Sequence, residues 1–233
     1  RKKLMNNKIT VYLLYGIGEI MLVVIGILIA VNIDDWNQEK EKEKELVAQL
    51  NTLYSDIQGD SIYFSNRIRY DSSILRYLNA VSRHHFEKVD LSYLALFLIS
   101  NENPREFSQI TSGLKQNGLY ELIKSTSLKE ELSIYASSLD HHNEYSSWHK
   151  NYIINNTEGY LVKNYPLDTL LRIPKSVALD GLKNKNLSSI NSFQLNNYQV
   201  HITNKLNASR IAQRILGILS SEYGTTAEKK KLH

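Results

Sequence analysis

One almost wholly apolar stretch, residues 16–33, constrains this chain more than any other feature. It reads GIGEIMLVVIGILIAVNI and contains one carboxylate, that of Glu19. With residues 9–15 it forms a run of about 25 residues whose other ionisable side chains are all tyrosines. A helix of this length crosses a bilayer core of about 30 Å. The sequence therefore predicts a transmembrane helix over residues 9–33.

The charges on either side of this helix predict its orientation. Four basic residues lie within residues 1–8, whereas Asp34 and Asp35 directly follow the helix. Lys and Arg concentrate on the cytoplasmic side of a membrane, so residues 1–8 are predicted to be a short cytoplasmic segment. Residues 34–224 are then a domain outside the cytoplasm. A cleaved signal peptide would have a shorter apolar core and a small-residue cleavage site, and neither is present.

One face of the predicted helix combines small residues with the acid. Gly16, Glu19, Val23, Gly26 and Ala30 follow one another at steps of three and four, so they share a face. Small residues let helices approach closely in lipid, and a carboxylate in the membrane needs a partner helix, water or a cation. We therefore expect this face to pack against a second copy of the chain. Two alternatives stay open: Glu19 reaches the cytoplasmic interface, or it takes part in proton transfer.

The spacing of apolar residues beyond the membrane predicts an all-α fold. Steps of three and four over residues 36–86 predict that the transmembrane helix continues as a stalk helix, with a bend near Gly59. Asp90 is a predicted N-cap for a short helix through Leu98, and residues 101–104 should end it. Further short helices are predicted over residues 105–116 and 119–124. The economical arrangement of the long helices is an antiparallel bundle.

Two long helices are predicted in the C-terminal half. Ser127 and Glu130 form a capping box at the start of the first, which should reach Tyr165 before Pro166 ends it. Residues 167–186 are predicted to be a loop, with a short strand or turn near residues 170–177. The second helix should run from Leu187 or Ser188 to Tyr223, with Gly224 as its C-cap. Its predicted inward residues include Tyr198, Leu206 and Ile215, and residues 225–233 are predicted to be a flexible tail.

Composition excludes several classes of protein. The 233 residues contain no cysteine, which rules out disulfides and thiolate metal sites. The net charge of +4 is small and the basic residues are spread along the chain, so no nucleic-acid partner is predicted. Phosphate-binding loops and nucleophile motifs are missing from the sequence. We therefore predict neither catalytic residues nor a cofactor.

Two stretches resemble a known family. Residues 15–39, YGIGEIMLVVIGILIAVNIDDWNQE, resemble the opening signature of uncharacterised single-pass membrane proteins of Gram-negative bacteria. Residues 110–139, ITSGLKQNGLYELIKSTSLKEELSIYASSL, are similar to that family's middle motif, although Ala136 stands where the motif has a second aromatic residue. The resemblance implies an inner-membrane location, with the main domain in the periplasm. It implies no activity, because the family has none assigned.

Histidines and aromatic residues are the remaining candidates for a site. His141, His142 and His149 lie on the first long C-terminal helix, and a solvated or hydrogen-bonded surface cluster is expected rather than a metal or pH-sensing site. A second candidate is a peptide or glycan groove lined by Tyr145, Trp148 and Tyr152, although we expect these residues to pack in the core.

Three functional hypotheses follow from the sequence. The first is a membrane-anchored, self-associating periplasmic scaffold that contacts the lipid bilayer and other membrane or periplasmic proteins, and is not an enzyme. The second is a sensor or energy-coupling component that uses Glu19. The third, a metal-dependent enzyme, ranks lowest.

Overall fold

A computed structural model describes residues 2–104 and 110–224, with side chains for residues 13–104 and 113–224. Both ranges contain helices and no strand, which confirms the all-α prediction. The chain divides into two compact units, Arg1–Gln49 and Leu50–His233. Each unit is described by itself. The predicted tail and the residues 105–109 of a predicted short helix lie outside the described residues.

The first unit is made of the N-terminal part of helix α1 (Lys2–Ser82). Its large apolar side chains between Leu13 and Ile33 are 47–76% exposed, and these exposed residues surround the helix on every side. The most apolar 18-residue window has a mean hydropathy of 2.5, and none of it is buried. Helix α1 is therefore long and apolar enough to cross a membrane.

The second unit contains the rest of α1 and seven further helices in the described residues. Two 3-10 turns, Phe86–Lys88 and Leu91–Tyr93, come before the first of these helices, and a π-helical segment, Ile153–Glu158, joins the fourth to the fifth. The helices are α2 (Leu94–Ile99), α3 (Ile110–Gln116), α4 (Leu119–Leu122), α5 (Thr126–Tyr152), α6 (Gly159–Asn164), α7 (Lys175–Lys183) and α8 (Asn186–Tyr223).

Helices α5 and α8 form the main helix pair of the second unit. They run antiparallel, because Glu131 near the start of α5 pairs with Arg214 near the end of α8, whereas His149 near the end of α5 contacts Gln194 near the start of α8. An apolar cluster packs at one end of the pair and draws on α1, α2, α6, α7 and α8. Its largest members include Leu78, Leu94, Leu98, Leu161, Leu187 and Tyr198.

Several predicted boundaries are confirmed. The predicted continuation of the helix is confirmed, since α1 passes Gly59 without interruption and ends at Ser82, whereas the predicted bend near Gly59 stays a prediction. The Asp90 carboxylate accepts a hydrogen bond from the Ser92 backbone N–H at 3.0 Å and caps the turn that leads into α2. Gly224 ends α8 with a φ of 60°, a left-handed conformation that glycine adopts without strain.

The predicted capping box at the start of α5 is wrong by two residues. Ser125, not Ser127, is the N-cap, and its hydroxyl accepts a hydrogen bond from the Leu128 backbone N–H at 3.1 Å. The sequence SLKE resembles a capping box, but Ser127 already lies within the first turn of α5. The helix also continues beyond Tyr152 through the π-helical segment and α6 to Asn164, close to the predicted end.

The loop predicted over residues 167–186 is wrong for its second half, because residues 175–183 form helix α7. Its first part forms a turn in which the Leu171 N–H donates to the Asp168 carbonyl at 2.9 Å. Gly181 misled the prediction, since glycine weakens an isolated helix. Here it is needed for packing: a Cβ at Gly181 would lie 2.6 Å from Cδ1 of Leu187.

The corrected N-cap can be tested by comparing two serines. We expect Ser125→Ala to lower the free energy of unfolding by about 1 kcal/mol, because the Leu128 N–H loses its acceptor. Ser127→Ala is the matched control and should change stability by less than about 0.5 kcal/mol. Urea unfolding followed by circular dichroism measures both. A larger loss in Ser127→Ala would restore the capping box as the start of α5.

Candidate functional site: a buried ionic and histidine network

The N-terminal half of α8 turns a polar face into the interior of the second unit. Buried residues on this face are Asn191, Gln194, Asn197, His201 and Lys205. Each makes a specific contact; for example, Asn191 donates to the Leu78 carbonyl at 3.2 Å. Leu206, predicted to point inward, is 38% exposed. The prediction failed because it followed apolar residues alone, whereas this half of α8 is held by hydrogen bonds and ion pairs.

Lys205 lies at the centre of this face and is completely buried. Its ammonium group donates to Oδ2 of Asp71 on α1 at 2.8 Å and also pairs with Oε2 of Glu102. Arg67, one turn before Asp71, lies 3.3 Å from the second Asp71 oxygen. Two cations thus face two carboxylates, and their formal charges balance. A buried charge is tolerated when it is paired in this way.

Glu102 lies in the segment between α2 and α3 and is only 5% exposed. The Tyr63 hydroxyl donates to its Oε1 at 2.7 Å, and Nε of Arg67 lies 3.5 Å from the same oxygen. Nε2 of His142 and Nδ1 of His201 lie 3.8 Å from its two oxygens. Residues from α1, α5 and α8 therefore all converge on this one carboxylate.

A chain of hydrogen bonds fixes the protonation of two buried histidines. The Gln194 amide N–H₂ donates to the carbonyls of Leu98 and Ser100, so its Oε1 faces His149. His149 donates from Nε2 to that oxygen at 2.8 Å, which leaves Nδ1 of a neutral ring as an acceptor. His201 then donates from Nε2 to Nδ1 of His149 at 2.9 Å. Both imidazoles are neutral in this arrangement.

The pKa values follow from burial and from the neighbouring charges. Burial, together with the positive charge of Lys205, lowers the pKa of His201 to about 3. Burial also lowers the pKa of His149. Burial raises the pKa of Asp71 in spite of Lys205. For Glu102 the effect of burial is outweighed by His142, Lys205 and Tyr63, so its pKa lies well below the usual range.

The network is closed to solvent except at Arg67, which limits what it can do. Lys205 and His149 are fully buried, and His142 and His201 are each 1% exposed. No group of three His, Asp or Glu side chains among the described residues is arranged to hold a metal. The expectation of a surface cluster is wrong for His142 and His149. Both belong to the interior, where the ion pairs and hydrogen bonds of the network join α1, α5 and α8.

The predicted aromatic groove residues form a continuous surface above this network. Trp148 is 49% exposed and Tyr152 is 37% exposed, while Tyr145 is half-buried. Phe193 of α8 joins them, with its ring centre 4.2 Å from that of Tyr152. The Tyr145 hydroxyl donates to Asn197 at 2.6 Å. These aromatic side chains therefore cover the histidine pair from the solvent side.

The predicted transmembrane face lies in the first unit. Gly16, Glu19, Val23, Gly26 and Ala30 all lie on the uninterrupted helix α1, at the helical spacing the sequence indicated. Glu19 is exposed, as are its apolar neighbours. The predicted packing face and the buried network belong to different units.

Comparison with known proteins shows a partial similarity to one family and assigns no function. A family model described as "Family of unknown function (DUF6090)" matches residues 19–112, less than half of the chain. The match covers most of the opening signature and ends at the start of the second motif. Comparisons with curated proteins and with solved structures found no match. The chain is thus similar to an uncharacterised family over α1 and α2, and this similarity assigns no chemistry.

His201 makes stability depend on pH. The unfolded histidine binds a proton near pH 6.5, whereas the folded one stays neutral until about pH 3. The unfolded state therefore binds more protons in this window, so stability falls as the pH drops. The groups that face His201 are His142, His149, Glu102 and Lys205.

We expect His201→Gln to reduce the slope of unfolding free energy against pH by up to about 1.4 kcal/mol per pH unit. Urea unfolding at several pH values measures the slope. The raised pKa of Asp71 changes the same slope in the opposite direction. Asp71 is present in both the unaltered protein and the variant, so its effect cancels in the comparison. The exposed His141 supplies the control His141→Gln. An equal change of slope in both variants would contradict the assignment.

Removing the central cation should be strongly destabilising. In Lys205→Met, the carboxylate of Asp71 stays buried and loses its closest cation, and we expect a loss of about 3–5 kcal/mol. The double variant Lys205→Met with Asp71→Asn should recover part of this loss, because one charge is removed as well. Arg210→Met, at an exposed position on the same helix, is the control. No recovery in the double variant would show that the two side chains are not coupled.

Proposed function

We propose that this protein is a single-pass membrane scaffold of the bacterial inner membrane that associates with copies of itself through one face of α1. Its N-terminus lies in the cytoplasm and its helical second unit in the periplasm. It acts by binding other membrane or periplasmic proteins rather than by catalysis. One observation carries the proposal: within residues 13–33 the helix is apolar on every side, yet one face holds small residues and a carboxylate.

The small size of Gly16 and Gly26 is not required by packing among the described residues of a single chain. A Cβ built on Gly16 or Gly26 would meet no atom within 4 Å. Their small size therefore leaves room for something outside the chain, and in lipid that room favours close helix contact. Glu19 lies on the same face, where a carboxylate is stabilised by a polar partner on a neighbouring helix. A second copy provides such a partner, because two carboxyl groups can share a proton.

A non-enzymatic role is supported by the burial of the polar network. Its lysine, histidines and carboxylates are at most 5% exposed, so no substrate atom reaches them in this conformation. Positive charge within residues 1–8 and the acidic Asp34 and Asp35 after the apolar run support the proposed orientation.

Self-association through this face can be tested with two glycines. We expect Gly26→Leu to reduce the cross-linked oligomer in native membranes at least fivefold, since a larger side chain blocks the close approach. Gly18→Leu is the matched control, because Gly18 is equally open in the single chain but lies on a different face. It should leave the oligomer unchanged. Equal yields for Gly26→Leu and the unaltered protein would rule out this face.

Glu19→Gln separates scaffolding from energy coupling. The amide keeps the size and hydrogen-bonding capacity of the carboxyl group but does not gain or lose a proton. A scaffold should retain its oligomer and its co-purifying partners. Retained assembly with loss of the cellular phenotype would instead favour the sensor or energy-coupling hypothesis. A reporter fused to the C-terminus tests orientation in the same strains, and activity in the cytoplasm would contradict the proposed topology.

A further inference from the structure

A groove on the solvent side of α5 and α8 lies next to the buried network without being part of it. Its cavity volume is about 710 Å³, within the range of small-molecule sites. Helix α5 contributes three serines and His141, and α8 contributes two asparagines and two arginines. Ile134 and Ile211 supply the apolar part of the lining.

The groove carries positive charge. No aspartate or glutamate lines it, whereas Arg210 and Arg214 both do. Glu131 holds Arg214 through two parallel hydrogen bonds of 2.7 and 2.9 Å, which fixes the plane of its guanidinium group. Among the described residues no carboxylate pairs with Arg210, whose nearest polar partner is Oδ1 of Asn207 at 3.5 Å. The charge of Arg210 is therefore not compensated by any carboxylate in the part of the chain that the structure describes.

The groove also contains an unused hydrogen-bond donor. Nδ2 of Asn204 is shielded from solvent and has no acceptor among the described residues. A sheltered donor without an acceptor destabilises a protein. A turn of the Asn204 side chain toward the groove would bring this donor within reach of an oxygen atom of a bound ligand, which would supply the acceptor. Guanidinium, amide and hydroxyl groups together form a site rich in donors, which suits a ligand rich in acceptors.

We propose that this groove binds a small anionic ligand through its carboxylate or phosphate oxygens. Arg210 provides the charge, and its planar group matches the geometry of a carboxylate or phosphate. Asn204, once its side chain has turned toward the groove, donates to a second ligand oxygen. Arg214, already held by Glu131, lines the groove as a fixed donor, and the two isoleucines contact the carbon atoms of the ligand.

Isothermal titration calorimetry of the full-length protein in detergent micelles tests the site. Citrate and inorganic phosphate are titrated into the protein in separate experiments. Saturable binding of at least one probe is expected, and it should weaken as sodium chloride is raised. Arg210→Gln should weaken binding at least tenfold, because an ionic hydrogen bond is lost. Asn204→Asp should weaken it too, since an acceptor replaces the donor. Citrate binding alone identifies a carboxylate ligand, and phosphate binding alone a phosphate ligand.

Arg69→Gln is the matched control. It removes the same charge from an exposed arginine of the second unit that does not line the groove. Binding should change less than twofold. An equal loss in Arg69→Gln and Arg210→Gln would show that the probes respond only to net charge and would overturn the proposal. The absence of saturable binding of either probe to the unaltered protein would overturn it as well.

Discussion

The second unit depends on the contact of one buried ammonium group with two carboxylates. Lys205 on α8 contacts Asp71 on α1 and Glu102 in the segment after α2, and all three side chains are at most 5% exposed. Transferring such charges from water costs several kcal/mol for each ion, which ion pairing must offset. The pairing succeeds only when the three elements meet in one arrangement. The cluster therefore favours this arrangement over others that would leave a buried charge unpaired.

The helices of this chain could be predicted from sequence because their signals are local. Asp90 caps a turn, Gly224 ends α8, and apolar spacing marks α1, α5 and α8. Errors arose where a local signal had two meanings. Ser125 and Ser127 both resemble N-caps, and their flanking sequence does not separate them. Gly181 resembles a loop residue, but its role is to let Leu187 approach the backbone, a contact that no local pattern contains.

Half of the buried site had a signal in the sequence. Gln194, His201 and Lys205 are spaced so that they share one face of a helix. A polar face of this kind usually points to solvent, so the spacing indicated that these residues lie together but not that they are buried. Their partners had no such signal. Asp71 is separated from Lys205 by 134 positions, and Glu102 lies in a segment predicted to be a helix break. Only the three-dimensional fold brings these carboxylates to the lysine.

Helix α8 shows why the average hydropathy of a helix is a poor guide to what the helix does. Lys205 and its neighbour Asn204 differ in environment although they are adjacent in sequence, because one turns toward the carboxylates and the other toward the groove. The same holds on α5, where His142 is buried and His141 lines the groove. A ligand in the groove would thus touch residues whose immediate neighbours hold the ionic network. Any shift of α5 against α8 on binding would have to stretch the buried hydrogen bonds of His149 to His201 and Gln194, so these contacts favour a groove that is already formed before the ligand arrives.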